Sequence, residues 1–423
     1  MDDPRPMVTK KKRRISGRVV RRALLAIFAI LIVAIVDLSP RVEATRAPAA
    51  IEAERARDLV RTLRSGLKSG NGTTSIRATR EDLTGAATLA SWLGRFGRFD
   101  AAIREGRLVL RGSKALGPIW LNVDAKVSAS AAGFPDVALT VGDLPLGTTL
   151  SRALFESGRW VLRVRGAAVP PLDTLVRSVR IEPAAVSARI HFPLRSGLAD
   201  QLTGVNDRPI DPALTTQIFC RLIAANRVQP TDALATVVRR AFHPIRSDLP
   251  EIERHRAAFA AVAIYTVGRS AGRLAGNAGE RVASCGAPHA PPVLGGRVDL
   301  AAHWALSAAL SAAFGDDVSK ALGEFKELAD SRPSGSGFSF VDLAADRSGL
   351  AVARAALDPA SAPTTVSRLR RARDEDLLPL RALALAEGLT EAEFVGRFGA
   401  IDSAEFARAK DRIDAILSDS VGG

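Results

Sequence analysis

Residues 23–36 (ALLAIFAILIVAIV) form an uninterrupted apolar run, preceded by a basic leader and closed by Asp37 and Pro40. No other feature constrains the chain as strongly, because this run assigns everything after it to one side of a membrane. Basic residues at 10–14, Arg18, Arg21 and Arg22 lie ahead of it. Positive flanks stay in the cytoplasm, so residues 1–22 are expected inside and the bulk in the periplasm. The run is short for a spanning helix, which needs about 20 residues. Val19, Val20 and Leu38 extend it, with Arg21 and Arg22 snorkelling. A cleaved signal peptide is the competing reading, with Val42-Glu43-Ala44 as a small-x-small site. The long basic region and the gap before that site favour an uncleaved anchor over residues 23–38, single-pass in the inner membrane. No second stretch of spanning length follows.

The first 22 residues hold nine basic groups and two acids, so half of the net charge of +14 belongs to the leader. The rest is mostly arginine, without a zinc-finger, helix-turn-helix or RNA-binding signature, and nucleic acid is not expected as a partner. At 47% hydrophobic and 25% charged, the chain of 423 residues is neither disordered nor a multi-span protein. Its two cysteines exclude a disulfide-built scaffold. Export permits a bridge between Cys220 and Cys285; two buried thiols are the alternative.

The fold class expected is α+β: a membrane helix, an antiparallel sheet module with helices, then an all-helical domain. Residues 45–72 read as a helical stem. Within residues 73–195, a helix from Thr79 to 93 opens on a capping signal. Alternating segments at 106–111, 119–130, 137–141, 160–164, 175–181 and 186–192 predict strands, with one short helix at 150–156. Residues 196–375 are helical, with apolar residues at helix spacing in 212–225, 232–242, 250–265, 299–314, 317–330 and 340–357. Residues 376–423 add two amphipathic helices, one opened by Thr390 and Glu393. Trp92, Trp120, Trp160 and Trp304 are expected in the core. His255 is expected on a solvated or salt-bridged helix face.

Unusual chemistry is concentrated in residues 297–349. Asp299 and His303 are four apart, Glu327 and Asp330 three apart beside Lys326, and Asp342 and Asp346 four apart, each pair on one helix face. Small residues around the first and third pairs permit close helix approach. One reading is a divalent-cation site of His303, Glu327, Asp330, Asp342 and Asp346; one imidazole with carboxylates suits Mg, Mn or Ca. Another is acid–base catalysis by His303, Glu327 and Lys326, with His303 a general base oriented by a carboxylate and Lys326 stabilising charge. The third is a set of interhelical salt bridges, Lys326 and Arg347 facing the acids and Asp299 capping its helix.

The order D-x-x-x-H (Asp299, His303), K-E-x-x-D (Lys326, Glu327, Asp330) and G-S-G-F-S-F-x-D-x-A-x-D-x-x-G resembles small bacterial envelope proteins of the YfiM lipoprotein type. The third motif comprises Gly335, Ser336, Gly337, Phe338, Ser339, Phe340, Asp342, Ala344, Asp346 and Gly349. More loosely it looks like the pattern of VanZ-like membrane proteins, whose several spans this chain lacks. Residues 253–258 (ERHRAA) and the sheet module are similar to larger, singly anchored proteobacterial proteins. The resemblance implies an envelope address and no particular activity. The expected function is therefore binding or structural support in the envelope, with envelope lipids or proteins as partners. A metal-assisted hydrolase of a lipid or cell-wall substrate is the alternative, and a lipid carrier using the sheet module is the third.

Overall fold

The computed structural model describes residues 34–43, 46–68, 73–92, 97–164, 169–191 and 210–418. The leader and residues 23–33 lie outside them. Among the described residues no helix is long and apolar enough to cross a membrane.

The described chain begins on a sheet. Val36–Asp37 (β1) pairs antiparallel with Trp120 and Leu121, so the end of the segment read as an anchor is strand rather than helix. Helix α1 (Ala50–Lys68) and strand β2 (Thr73–Thr79) follow. Helix α2 (Arg80–Trp92) is capped reciprocally: the Thr79 amide donates to Asp82 and the Asp82 amide to the Thr79 hydroxyl. Strands β3 (Arg98–Arg104), β4 (Arg107–Leu116), β5 (Ile119–Val127), β6 (Val137–Val141) and β7 (Leu144–Leu146) then run up and down. The turn from β3 to β4 uses Glu105 and Gly106, both with positive φ, as a right-twisted hairpin requires. The sheet order is β3-β4-β5-β6-β7. Because β6 pairs only with Val123 to Val127, the start of β5 is left unpaired on that side, and β1 fills it.

Helix α3 (Gly147–Val164) replaces both the short helix at 150–156 and the strand at 160–164 expected from the sequence. Alternation over five residues is too little to separate a strand from a helix end. Strands β8 (Val176–Ile181) and β9 (Ala185–His191) join β2 in a separate three-stranded sheet, β2-β9-β8. Ile103 of the large sheet meets Val179 and Val186 of the small one in a second, minor core.

The helical part begins with α4 (Pro212–Val228), α5 (Leu234–Ala241) and α6 (Glu251–Val267). Residues 257–265 of α6 are buried on every side, as befits a helix apolar all round, and α6 is the central post of the domain. Of the solvated or salt-bridged reading of His255, the first half is overturned and the second holds, with Glu251 3.6 Å from Nε2. His255 is buried against the Ala356 carbonyl at 2.9 Å, and Arg256 donates to the Ala312 carbonyl at 2.6 Å. Then come α7 (Val298–Phe314), α8 (Asp316–Asp330), α9 (Phe340–Leu357), α10 (Ala362–Leu369), α11 (Glu391–Phe398) and α12 (Ala404–Ser418). Cys220 on α4 is disulfide-bonded to Cys285 in the 3-10 turn Val282–Cys285, with Cα atoms 5.2 Å apart.

The segment read as a stem does not stand apart. Ala50, Ala53 and Ala56 of α1 are buried in the same core as Phe259 and Trp304, and so are Phe394, Phe406 and Ile413 from the C-terminal helices. The spacing of alanines along α1 supplies a narrow apolar stripe that invites a neighbouring helix.

Candidate functional site

Helices α7, α8 and α9 bring together the polar residues of 297–349. The pair α7 and α9 approaches closely because alanines line both sides, and because Gly349 on α9 lies against the backbone of Trp304. A Cβ at position 349 would sit 2.2 Å from the Trp304 carbonyl oxygen. Intrinsic propensity favours alanine over glycine in a helix by about 1 kcal/mol. Here that sign inverts: Gly349→Ala is expected to destabilise by about 1–3 kcal/mol, since the two helices must part. Gly396 on α11, whose added Cβ would meet nothing within 4 Å, is the control. There the same substitution is expected to stabilise, and urea unfolding of both variants reads the contrast.

The Gly-Ser-Gly-Phe-Ser-Phe segment is the latch that leads into α9. Gly337 has φ +90° and passes against the backbone of Gly388, which no side chain would allow. Phe338 exchanges backbone hydrogen bonds with Leu389, and its ring stacks on Phe394. The Ser339 hydroxyl accepts from the Asp342 amide as the N-cap, while the Ser339 amide donates to Glu327 at 3.1 Å.

His303 stands at the centre, its side chain 9% exposed. Nδ1 lies 3.1 Å from Asp346 Oδ1 and Nε2 lies 3.2 Å from Asp342 Oδ2. Ser307, one turn along α7, also donates to Asp346 Oδ1, at 2.6 Å. Glu327 Oε1 is 3.9 Å from Nε2, and Lys326 Nζ bonds Glu327 and Asp330 at 2.8 and 2.9 Å. Arg57 of α1 bonds Asp330 from the far side, and Arg297 Nη2 lies 3.5 Å from Asp342 Oδ1. Each carboxylate thus has a cation within reach.

Several sequence expectations are redrawn. Asp299 lies in the first turn of α7 with its carboxylate held by Arg297 and near the amides of that turn, and it does not meet His303. Asp330 binds Arg57 and Lys326 rather than the imidazole. Arg347 pairs with Asp414 of α12, outside the cluster. Spacing within one helix tells which residues share a face, not which neighbour that face meets. Arg57 and Ser307 belong to the site and were missed. Ser307 could have been found, four residues after His303; Arg57 is 273 residues from its partner and gave no local signal.

Burial alone would lower the His303 pKa, but Asp346 and Asp342 outweigh it and raise it to about 10. Burial raises Glu327 to about 7 against the opposing pull of Lys326 and His303. The His303 hydrogen bond holds Asp342 below the usual carboxylate range despite its burial. A raised folded-state pKa contributes stability below the unfolded value and loses it as pH rises through the folded value. Conformational stability is therefore expected to fall from pH 6.5 towards about 10 as His303 deprotonates, with Glu327 adding a fall from 4.5 to about 7. Denaturant titrations across that range check this. The pH slope above 6.5 is expected to flatten in His303→Gln.

A cation has a partial fit. His303, Glu327 and Asp346 offer donor atoms within 4.8 Å of one another. Asp342 Oδ1 and Asp346 Oδ2 are buried and make no hydrogen bond. Against this, both ring nitrogens face carboxylates as an imidazolium would, and Lys326 already neutralises Glu327. Catalysis by His303, Glu327 and Lys326 would need a substrate-sized opening. The small cavity beside Asp346, lined by Ser319, Gly323 and Leu350, holds about one water-sized sphere. Comparison with protein families, with curated proteins and with solved structures finds no match to this chain, so the reading of the site rests on its own geometry.

Proposed function

We propose that the chain is a singly anchored, periplasm-facing envelope protein with a binding or structural role. In this reading the His303 network is a charge-balanced lock that fixes α1, α7, α8 and α9 to one another. The observation that carries the lock is the double clamp on His303, one aspartate on each ring nitrogen within 3.2 Å and each carboxylate matched by a cation. The pairing of Cys220 with Cys285 supports an oxidising compartment, where such bridges persist. The apolar run behind its basic flank and the motif resemblance support the same address.

Metal-assisted hydrolysis is the second reading, favoured by the hydrogen-bond-free oxygens of Asp342 and Asp346. In it His303, Glu327 and Asp346, whose donor atoms lie within 4.8 Å of one another, would ligate, and Asp342 would hold the ring from its other side. Native mass spectrometry of the full chain in detergent, beside His303→Ala, separates the two. The lock predicts no stoichiometric divalent ion in either protein and a less stable variant. A stoichiometric ion that His303→Ala loses would replace the lock with the metal site.

A further inference from the structure

Helix α3 carries a feature that neither the lock nor the fold uses. Leu150, Leu154, Trp160, Val161 and Val164 are all exposed, between 42% and 67%. At 100° per residue, Leu150, Leu154 and Val161 fall in line, with Trp160 and Val164 one turn apart beside them. They form one apolar stripe along a helix of 18 residues. Trp160, expected in the core, is thus on the surface. The face that meets the sheet is a different one. Ser151 is fully buried and accepts from the Leu139 amide at 3.0 Å, and Phe155 packs edge-on against Phe134. Between the two faces lie Arg152, Arg159 and Arg163, with Glu156 the one acid of the helix.

We infer that this stripe lies on the surface of an anionic lipid bilayer, with Trp160 and the apolar residues among the acyl-chain ends and Arg163 at the headgroups. The inference rests on the anchored reading above. The occupant is argued from where the apolar run enters the fold. Ala34 and Ile35 are packed against the turn between β6 and β7: the Asp143 amide donates to the Ala34 carbonyl at 2.7 Å, and a Cβ on Gly142 would collide with both residues. From that turn β7 leads directly into α3. A chain held in the bilayer by residues 23–33 therefore meets the sheet beside the root of α3, which places the stripe near lipid. Arg152 pairs with Asp173 and Arg159 with Glu156, each at 2.6 Å, so the patch keeps a net charge of +1, carried by Arg163 in the last turn, which favours anionic headgroups. Tryptophan is a residue of the membrane interface.

The test uses the full chain reconstituted in vesicles of phosphatidylethanolamine and phosphatidylglycerol, with and without brominated acyl chains. Bromine quenches tryptophan only within the bilayer. Part of the emission is expected to be quenched, and Trp160→Phe is expected to remove that part. Leu154→Asp keeps the indole and leaves the sheet-facing side untouched, and it is expected to release Trp160 from quenching with an unchanged circular dichroism spectrum. Quenching that Trp160→Phe leaves unaltered overturns the inference. So does self-association that Leu154→Asp dissolves while quenching stays the same, which would make the stripe a contact between copies. Washing the same vesicles with alkaline carbonate reads the anchor separately. Protein that resists the wash but shows no Trp160 quenching keeps the anchor and loses the lipid-lying helix. Protein that is stripped by the wash yet quenched before it keeps the helix and loses the anchor.

Discussion

Replacing His303 with alanine is expected to cost the fold about 3–5 kcal/mol at neutral pH, the loss seen when one partner of a buried ion pair is removed. The reason is asymmetry. The imidazolium is clamped between Asp342 and Asp346, both less than 10% exposed, and its removal leaves two carboxylates facing each other across a void. Desolvated charge without a partner is far more expensive than the intact network is favourable. Urea unfolding followed by circular dichroism gives the number. A loss below about 1 kcal/mol, the range of exposed pairs, would mean that the site is wet and that the lock does not exist. Asp346→Asn offers a second view, since it keeps an acceptor for Ser307 and removes the charge. Its loss is expected to be smaller, with the His303 pKa pulled down from about 10 and visible by NMR.

The second large effect is expected at the disulfide. Cys220 and Cys285 are 65 residues apart, and the chain-entropy model assigns about 4 kcal/mol to a loop of that length. Removing the bridge in Cys220→Ser/Cys285→Ser is expected to lower stability by that order, measured by thermal unfolding without reductant. The wild type with reductant is expected to approach the double variant, and reductant is expected to leave the double variant unchanged. A variant as stable as the oxidised wild type would show that α4 and the turn at Cys285 are already fixed by packing, including the bond from Arg227 to the Cys285 carbonyl at 3.0 Å.

The limits of sequence legibility follow a physical line. Helices α6, α7, α8 and α9 were readable within two residues because each holds a long apolar period. Strand β5 was readable because Gly117-Pro118 marks its start, but β4 was ended at 111, five residues short of that turn, because Gly112 reads as a turn residue and lies within the ladder. Strand β3, RFDAAIR, was missed, although its partner β4 follows across a two-residue turn, because Arg98, Asp100 and Arg104 in seven residues leave it no clean apolar alternation. The C-terminal half of α3 failed differently. Its exposed apolar stripe imitates the alternation of a strand over five residues, and its indole looks like core until the surface is seen. At the candidate site, the residue types were legible. The partners were not. Which carboxylate reaches the ring depends on the crossing of α7 over α9, and that is set by Gly349 and the alanines rather than by charge spacing.

One consequence of the short strand β1 concerns mechanics. Its pairing to β5 is reinforced by Arg41, which bridges Asp124 and Asp143, and by Asn122, which grips Asp37 and the Ser39 carbonyl. A pull on the chain at Ala34 is therefore taken up at once in shear across that strand and passed into the whole large sheet. No slack leash intervenes. Force applied at Ala34 reaches the sheet without first uncoiling a spacer, so the sheet can turn only as Ala34 and Ile35 turn with it.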